Sequence, residues 1–329
     1  MGPRLSRSAQ ASDWMSGNHA SGVNTVVVIG ASGFIGEHLL NTLTERSNIE
    51  LRVLVHRKKA KIHAGVNFIE GDLLQPDSLD VLLLKDSIVI NLAYLAQNNL
   101  EAMDNLAQAC VKNKVRRLIH CSTAVVDGRS ENDWVTESTP CVTTSDYEKT
   151  KLQIESSLCR AALGEFTITI LRPTAVFGPG GKNLLKLANE LMNGNQWINY
   201  VRSCLFSSRS LNLVAVENVV AALEFLLAAE NVDREVFIIS DDDSPKNNYR
   251  DIENRLLAGF GISYLFPRVP MPKWCLKVLL RVAGKANINP SKKYSDRKLS
   301  ELGFKKPQGL EAAVDRFSSW YKGAHPKRT

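Results

Sequence analysis

The stretch Thr25–Gly36, TVVVIGASGFIG, constrains this chain more than any other. Four consecutive β-branched residues, Val26 to Ile29, read as a buried strand. The run breaks at Gly30 and resumes at once as a helical pattern with Ile35, Leu39, Leu40 and Leu43 on one face. Strand, tight turn and helix without a spacer make a phosphate cradle. Gly30 permits the turn, Gly33 lets backbone amides approach a pyrophosphate, and Gly36 lets helix pack closely on strand. The helix N-terminus adds partial positive charge. Because the spacing is Gly-x-x-Gly-x-x-Gly rather than the commoner Gly-x-Gly-x-x-Gly, its position between strand and helix carries the reading. Ser32, Phe34 and Ile35 lie inside the cradle and join the three glycines as cofactor-binding candidates.

The strand-then-helix pattern continues down the chain. Leu51–Val55 reads as a second strand ending in His56-Arg57-Lys58-Lys59. At this point of a dinucleotide fold an acidic residue bonds the ribose 2′-hydroxyl, whereas Arg accommodates a 2′-phosphate. No acid is present, so Arg57 favours NADP, with NAD as the alternative; a solvated basic turn is the plainer reading of the same residues. Val66–Glu70 is a third strand closed by Gly71-Asp72-Leu73, and Ser87–Leu92 a fourth running into Ala93. Arg117–Cys121 is a fifth, carrying Ser122-Thr123 at its C-terminal end; Phe166–Leu171 is a sixth, followed by Arg172-Pro173 and the turn Gly178-Pro179-Gly180-Gly181. Helical stretches such as Leu100–Val111 separate them. The expected fold is α/β: a Rossmann-type doubly wound parallel sheet with helices on both faces. Ligands bind outside the carboxyl ends of such strands, which puts Thr123 where cofactor and substrate meet.

Beyond the sixth strand the pattern changes. Asn183–Met192 reads as helix, Leu211–Val216 as strand, Glu217–Leu227 as helix, Glu235–Ser240 as strand and Leu310–Tyr321 as a closing amphipathic helix. Asp127–Ser145 is polar and reads as loop. The expected organisation is a disordered tail at 1–22, a dinucleotide-binding domain at 23–178 and a substrate-binding region at 179–329. The last is a smaller, interleaved C-terminal α/β cap, with 211–240 returning to the Rossmann sheet.

Composition excludes several classes. No apolar run approaches the ~20 residues of a membrane span. The most apolar helical stretch, Trp274–Ala283, is broken by Lys277 and Arg281 and reads as a domain helix. Residues 1–22 lack the apolar core of a secretory signal. The six cysteines form no C-x-x-C pair, which fits free thiols in a reducing, cytoplasmic setting. The six histidines are scattered, so no metal is expected. The net charge of +7 is spread out and lacks interleaved aromatics, which argues against nucleic acid and for anionic small molecules or a solvated surface.

The chemistry sits in a helix beginning near Ser145, where Tyr147 and Lys151 are one turn apart on one face. A phenol titrates near 10, and an ammonium beside it favours the phenolate, bringing it toward a working range. The same spacing recurs at Tyr294 and Lys298, but in the C-terminal region, where it reads as structure or surface. Thr123 supplies a hydroxyl to orient the reacting oxygen.

Taken in order, these marks resemble the extended short-chain dehydrogenase/reductase superfamily, in its NAD-dependent epimerase/dehydratase branch, over residues 24–322. They are Gly30-x-x-Gly33-x-x-Gly36, Gly71-Asp72-Leu73, Asn91-Leu92-Ala93, Asn99 with Asn105, Ser122-Thr123, Tyr147-x-x-x-Lys151, and Arg172-Pro173 before Val176-x-Gly178-Pro179-Gly180. The resemblance implies that Thr123, Tyr147 and Lys151 are catalytic, that Asp72 bonds the adenine beside Leu73, and that Leu92, Ala93 and Pro173 line the cofactor channel. Lys151 would hold the nicotinamide ribose. Dehydratases of this branch carry Asp-Glu directly after the catalytic Thr; here Ala124-Val125 follows, which disfavours dehydration. Asp127-Gly128 stands where the branch has Tyr-Gly. Arg209-Ser210-Leu211 to Val219, Phe237 to Asp241 and Leu299-x-x-Leu302-Gly303-Phe304 look like nucleotide-sugar 4-epimerases. They look still more like 4-keto-sugar reductases of bacterial surface-polysaccharide synthesis. That implies a UDP- or dTDP-hexose substrate, with Arg209 contacting the diphosphate and Asn183 helping, and a homodimer formed through the two long helices flanking the central strands. The alternatives are a 4-epimerase retaining NAD, a non-catalytic dinucleotide sensor, and a hydroxysteroid- or flavonoid-type reductase. The last would need an apolar cap, against which Lys182, Arg202 and Arg209 speak.

Overall fold

The computed structural model describes residues 24–56, 65–127, 132–271, 278 and 289–325. Arg57, the 1–22 tail, Cys275 and the 274–283 helix apart from Val278 lie outside them.

Seven parallel strands form the main sheet: β1 (Asn24–Ile29), β2 (Ile49–Val55), β3 (Val66–Glu70), β4 (Ile88–Asn91), β5 (Arg117–Cys121), β7 (Thr167–Pro173) and β10 (Glu235–Ile239), in the order β10-β7-β5-β4-β1-β2-β3. The order reverses at β1 and β4, which pair Val26 with Ile88 and Ile29 with Asn91. Their carboxyl ends therefore open the crevice in which such sheets take ligands. β1 is buried on both faces, as its β-branched run requires. Val26 and Val28 face α1 (Phe34–Leu43) and α7 (Val216–Ala228). Val27 and Ile29 face the other layer, built by α2 (Pro76–Leu82), α3 (Asn99–Lys112) and α4 (Asp146–Ala161).

A third core, around Phe177 and Phe317, belongs to the C-terminal region. It gathers α5 (Leu185–Asn193), α8 (Tyr249–Phe260), α10 (Leu310–Ala324) and the short β8 (Ala175–Phe177) and β9 (Leu213–Ala215). α6 (Gln196–Phe206) packs beside α5 and α8, whereas α9 (Arg297–Glu301) lies against β10 and buries Leu299 in the core that holds Val26 and Val28.

Three differences from the sequence reading have physical causes. Of the 211–240 segment expected to rejoin the main sheet, Glu235–Ile239 does so, but the 211–216 strand shrinks to β9 and pairs with β8 in a separate ribbon. β10 already occupies the free edge of β7, and Asn212 at φ +51° interrupts the extended run. The 127–145 loop contains β6 (Trp134–Val135), which pairs with β11 (Lys293–Tyr294), a contact between distant segments that local pattern does not report. α6 carried no assignment; Asn195 caps it by accepting from the amides of Trp197 and Ile198.

Candidate active site

The glycine cradle is tight where the fold needs it and open where it does not. Gly30 sits at φ +84°, and a Cβ there would lie 2.8 Å from the Ala93 amide nitrogen, so the β1 turn is pressed against the end of β4. At Gly36 a Cβ would fall 2.5 Å from the Gly30 carbonyl oxygen. Gly33 differs: it is exposed, takes an ordinary extended conformation (φ −83°, ψ 169°), and a Cβ there would meet only the Gly30 oxygen at 3.2 Å. The fold makes little demand for glycine at 33. A cradle left open beside an α1 N-terminus that no side chain caps fits a dinucleotide pyrophosphate. Ser32 and Ile35 lie half-buried in the same turn; the Phe34 ring instead packs on the Gly178–Gly181 turn, where a Cβ on Gly181 would come within 2.6 Å of it. His38, edge-on to Phe34, bonds the Pro179 carbonyl oxygen at 2.9 Å.

Asparagine side chains set the backbone of the channel walls. Asn91 accepts from the Ala93 amide at 3.0 Å, Asn99 both accepts from the Leu95 amide and donates to its carbonyl, each at 2.7 Å, and Asn105 donates to the Leu73 carbonyl. Leu73 is buried and Leu92 half-buried beside them. Asp72 lies at the end of β3, accepting from the Leu74 amide and 3.3 Å from the His56 imidazole. Pro173 closes β7 in register with Ile239.

α4 is anchored before it reaches the site. Ser145 and Glu148 form a capping box, and Glu148 also accepts from the amide and hydroxyl of Thr144. That fixes Tyr147 in the first turn. Lys151 is buried, its ammonium 3.5 Å from the Cys121 carbonyl and 4.7 Å above the Tyr94 ring. Tyr94 meets Tyr147 edge-on at 5.1 Å, and Thr123 acts on the Tyr147 phenol to favour its ionised form. Tyr94 therefore joins cradle to catalytic residues, since it follows Ala93, on which Gly30 rests. Its place directly after Asn91-Leu92-Ala93 was the available signal.

The electrostatics correct the sequence reading. Burial raises the Tyr147 phenol above its ordinary value, with Tyr94 and Cys121 adding to the rise and Thr123 opposing it. The Lys151 ammonium is drawn to the Cys121 carbonyl and the Tyr94 face, and burial lowers its own pKa. It acts on the phenol less directly than the four-residue spacing suggested. His120 behind it is fully buried and pushed down to about 3, chiefly by burial and then by Lys151, so it stays neutral.

Arg172, known from sequence only as a motif residue, holds α4 to the sheet. Its guanidinium grips Glu155, one turn beyond Lys151, through Nε at 3.0 Å and Nη2 at 2.5 Å, with both residues buried. Glu155→Gln, which leaves Arg172 uncompensated, is expected to cost about 3–5 kcal/mol in chemical denaturation.

Asn183 and Arg209 line a different part of the molecule, a cleft of about 610 Å³ shared with Lys186, Glu190, Arg202, Phe206 and Tyr249. Asn183 donates to the Val176 carbonyl at 2.7 Å. Arg202 is paired with Glu190 at 2.7 Å, which cancels one of the cations read as anion-binding. Arg209 lies over the Phe206 ring, and burial holds its pKa below the ordinary value. Tyr294 is buried; its amide donates to Asp242, and Lys298 bonds Glu235.

A Rossmann sheet with a glycine turn at its first strand and Thr, Tyr and Lys at its carboxyl edge defines a dinucleotide-binding protein of the short-chain dehydrogenase/reductase type. The model of the NAD dependent epimerase/dehydratase family matches residues 26–240, and the chain belongs to that family. Among curated relatives it is 23% identical to a UDP-glucose 4-epimerase of Vibrio cholerae, over 80% of this chain and 84% of that protein. It is 24% identical to the N-acetyl-alpha-D-glucosaminyl-diphospho-ditrans,octacis-undecaprenol 4-epimerase of Escherichia coli O157:H7, over 93% of this chain and 97% of that protein. Among solved structures, the UDP-glucose 4-epimerase of Thermotoga maritima with UDP-glucose superposes with a TM-score of 0.69 at 20% identity, covering 91% of this chain and 99% of that one.

Proposed function

We propose that this protein is an NAD(P)-dependent oxidoreductase acting at C4 of a diphosphate-linked hexose, reducing the 4-keto group of a UDP- or dTDP-sugar in surface-polysaccharide synthesis. The single observation that carries the reading is the continuous contact from Gly30 through Ala93 and Tyr94 to Tyr147, Lys151 and Thr123. Bound in the cradle of Gly30, Gly33 and Gly36, NAD(P) supplies hydride exchange with the sugar carbon. Tyr147 delivers the proton to the C4 oxygen, and Thr123 bonds the same oxygen and orients it. Lys151 holds the nicotinamide ribose, Asp72 the adenine end, and Arg209 with Asn183 the diphosphate. The first alternative is a 4-epimerase that retains NAD, in keeping with the activities named for the two curated relatives. Arg57 favours the reductase with NADP.

Mass spectrometry of ligands retained on the purified protein, followed by incubation with 4-keto UDP- and dTDP-hexoses, tests both. The expected result is stoichiometric oxidation of NADPH with formation of the 4-hydroxy sugar. Interconversion of C4 epimers without net change in cofactor supports the epimerase; neither reaction, with a dinucleotide still bound, leaves the sensor.

A further inference from the structure

Tyr94 touches both members of the Tyr147 and Lys151 pair. The Lys151 ammonium lies 4.7 Å from the centre of its ring face, and its plane meets the Tyr147 ring at 72°. The backbone on either side of Tyr94 is pinned by buried asparagines. Asn91 holds the Ala93 amide, and Asn99 holds both the amide and the carbonyl of Leu95. Asn91 is itself fixed by the His120 ring and the Met103 sulfur. With both neighbours held in this way, the root of the Tyr94 side chain is set by the fold, although the ring is 40% exposed. Ala93 is also the residue on which Gly30 is pressed, so the place of this ring is tied to the cradle.

The buried ammonium needs such a neighbour. Lys151 is buried, and burial disfavours its charged form. The groups facing it offer little countercharge through neutral pH. On β5, His120 is neutral and burial pushes the Cys121 thiol up to about 11. On α4, Glu155 is gripped by Arg172 of β7, and the Tyr147 phenol is raised above its ordinary value. Among the described residues the close contacts of the ammonium are the Cys121 carbonyl, at a long 3.5 Å, and the Tyr94 ring. The electron-rich face of an aromatic ring attracts a cation, most strongly where water is excluded. We propose that Tyr94 is a positioning residue whose ring face seats the Lys151 ammonium at the carboxyl end of β5 and is the partner that keeps this buried cation charged. The use of a seated Lys151, holding the nicotinamide ribose, rests on the dinucleotide reading above; the seating itself does not.

The test is NMR of the full chain carrying lysine labelled with ¹³C at Cε, the Lys151 signal being assigned by its loss in Lys151→Met. Tyr94→Phe keeps the ring face and removes only the hydroxyl; Tyr94→Leu removes the face and keeps an apolar side chain. In the wild type and Tyr94→Phe the Lys151 ε-methylene protons are expected upfield, shielded by the ring. In Tyr94→Leu they are expected at the ordinary lysine position. The titration midpoint of Lys151 should there fall by about one unit, because only the charged form loses an attraction. Thermal melting should be unchanged. Affinity for NAD(P) at neutral pH is expected to fall about tenfold in Tyr94→Leu and to hold in Tyr94→Phe. Equal Lys151 shifts and midpoints in the wild type and Tyr94→Leu overturn the inference. So does a Tyr94→Phe protein that behaves like Tyr94→Leu, which would assign the effect to the hydroxyl. The expected Lys151 signature without any change in NAD(P) affinity, or in a protein that binds no dinucleotide, upholds the seating and removes the ribose role from the function proposed above.

Discussion

Tyr147→Phe is expected to lower turnover roughly 10²–10⁴-fold while leaving cofactor affinity and thermal stability nearly unchanged. Phenylalanine keeps the ring that meets Tyr94 edge-on, and the side chain is 44% exposed, so little packing is lost. What is removed is the hydroxyl whose pKa Thr123 lowers, the group able to pass a proton to an oxygen held at the crevice. The pH dependence follows from the sign of the phenol's shift. Reduction needs the protonated phenol, and burial raises its pKa above 10, so the reductive rate should hold through neutral pH and fall only in strongly alkaline buffer. The oxidative direction needs the phenolate and should rise over the same range. Steady-state kcat in both directions, with cofactor affinity measured separately, checks the pair of expectations. Undiminished turnover in Tyr147→Phe removes this residue as the acid and leaves Thr123 to account for the proton.

The parts of the molecule legible in the sequence are those whose information is local. Val26 to Ile29 could only be a strand buried on both faces, and they are divided between the two cores. The helix expected to begin near Ser145 is α4, and Tyr147 and Lys151 follow on one face by helical geometry. The rest depends on contacts between distant segments. Arg172 read as a motif residue, and nothing in its neighbours predicts the grip on Glu155. The β6–β11 pair is two residues long and joins the loop after β5 to a segment deep in the C-terminal region. The electrostatics of Tyr147 failed for a related reason: helical spacing gives proximity to Lys151 but not the pull of the Cys121 carbonyl and the Tyr94 ring, which draw the ammonium aside. Tyr94 itself stands beside a recognised motif, yet its role appears only once β4 and α4 are brought together. The site was thus visible as a set of residues, and its charge balance was not.

Gly30→Ala and Gly33→Ala separate what the cradle does for the fold from what it does for a ligand. At Gly30 the left-handed backbone costs an alanine about 1–2 kcal/mol. The new Cβ would also press within 2.8 Å of the Ala93 nitrogen and 2.9 Å of the Leu92 carbonyl carbon, backbone atoms that cannot swing aside. A total destabilisation of about 3 kcal/mol or more is expected, read as a lower denaturation midpoint, together with loss of dinucleotide binding. At Gly33 alanine adopts the native angles freely and meets one carbonyl oxygen at 3.2 Å, so stability should change by less than about 1 kcal/mol. If the open space at Gly33 is where a pyrophosphate comes close to the backbone, affinity for NAD(P) should nevertheless fall at least about tenfold, measured by calorimetry or fluorescence titration. A Gly33→Ala protein that melts like the wild type and binds the cofactor equally well would mean that the cradle is a structural turn alone. Loss of binding without loss of stability would tie the exposed glycine to the ligand, and with it the crevice that Tyr147 must share.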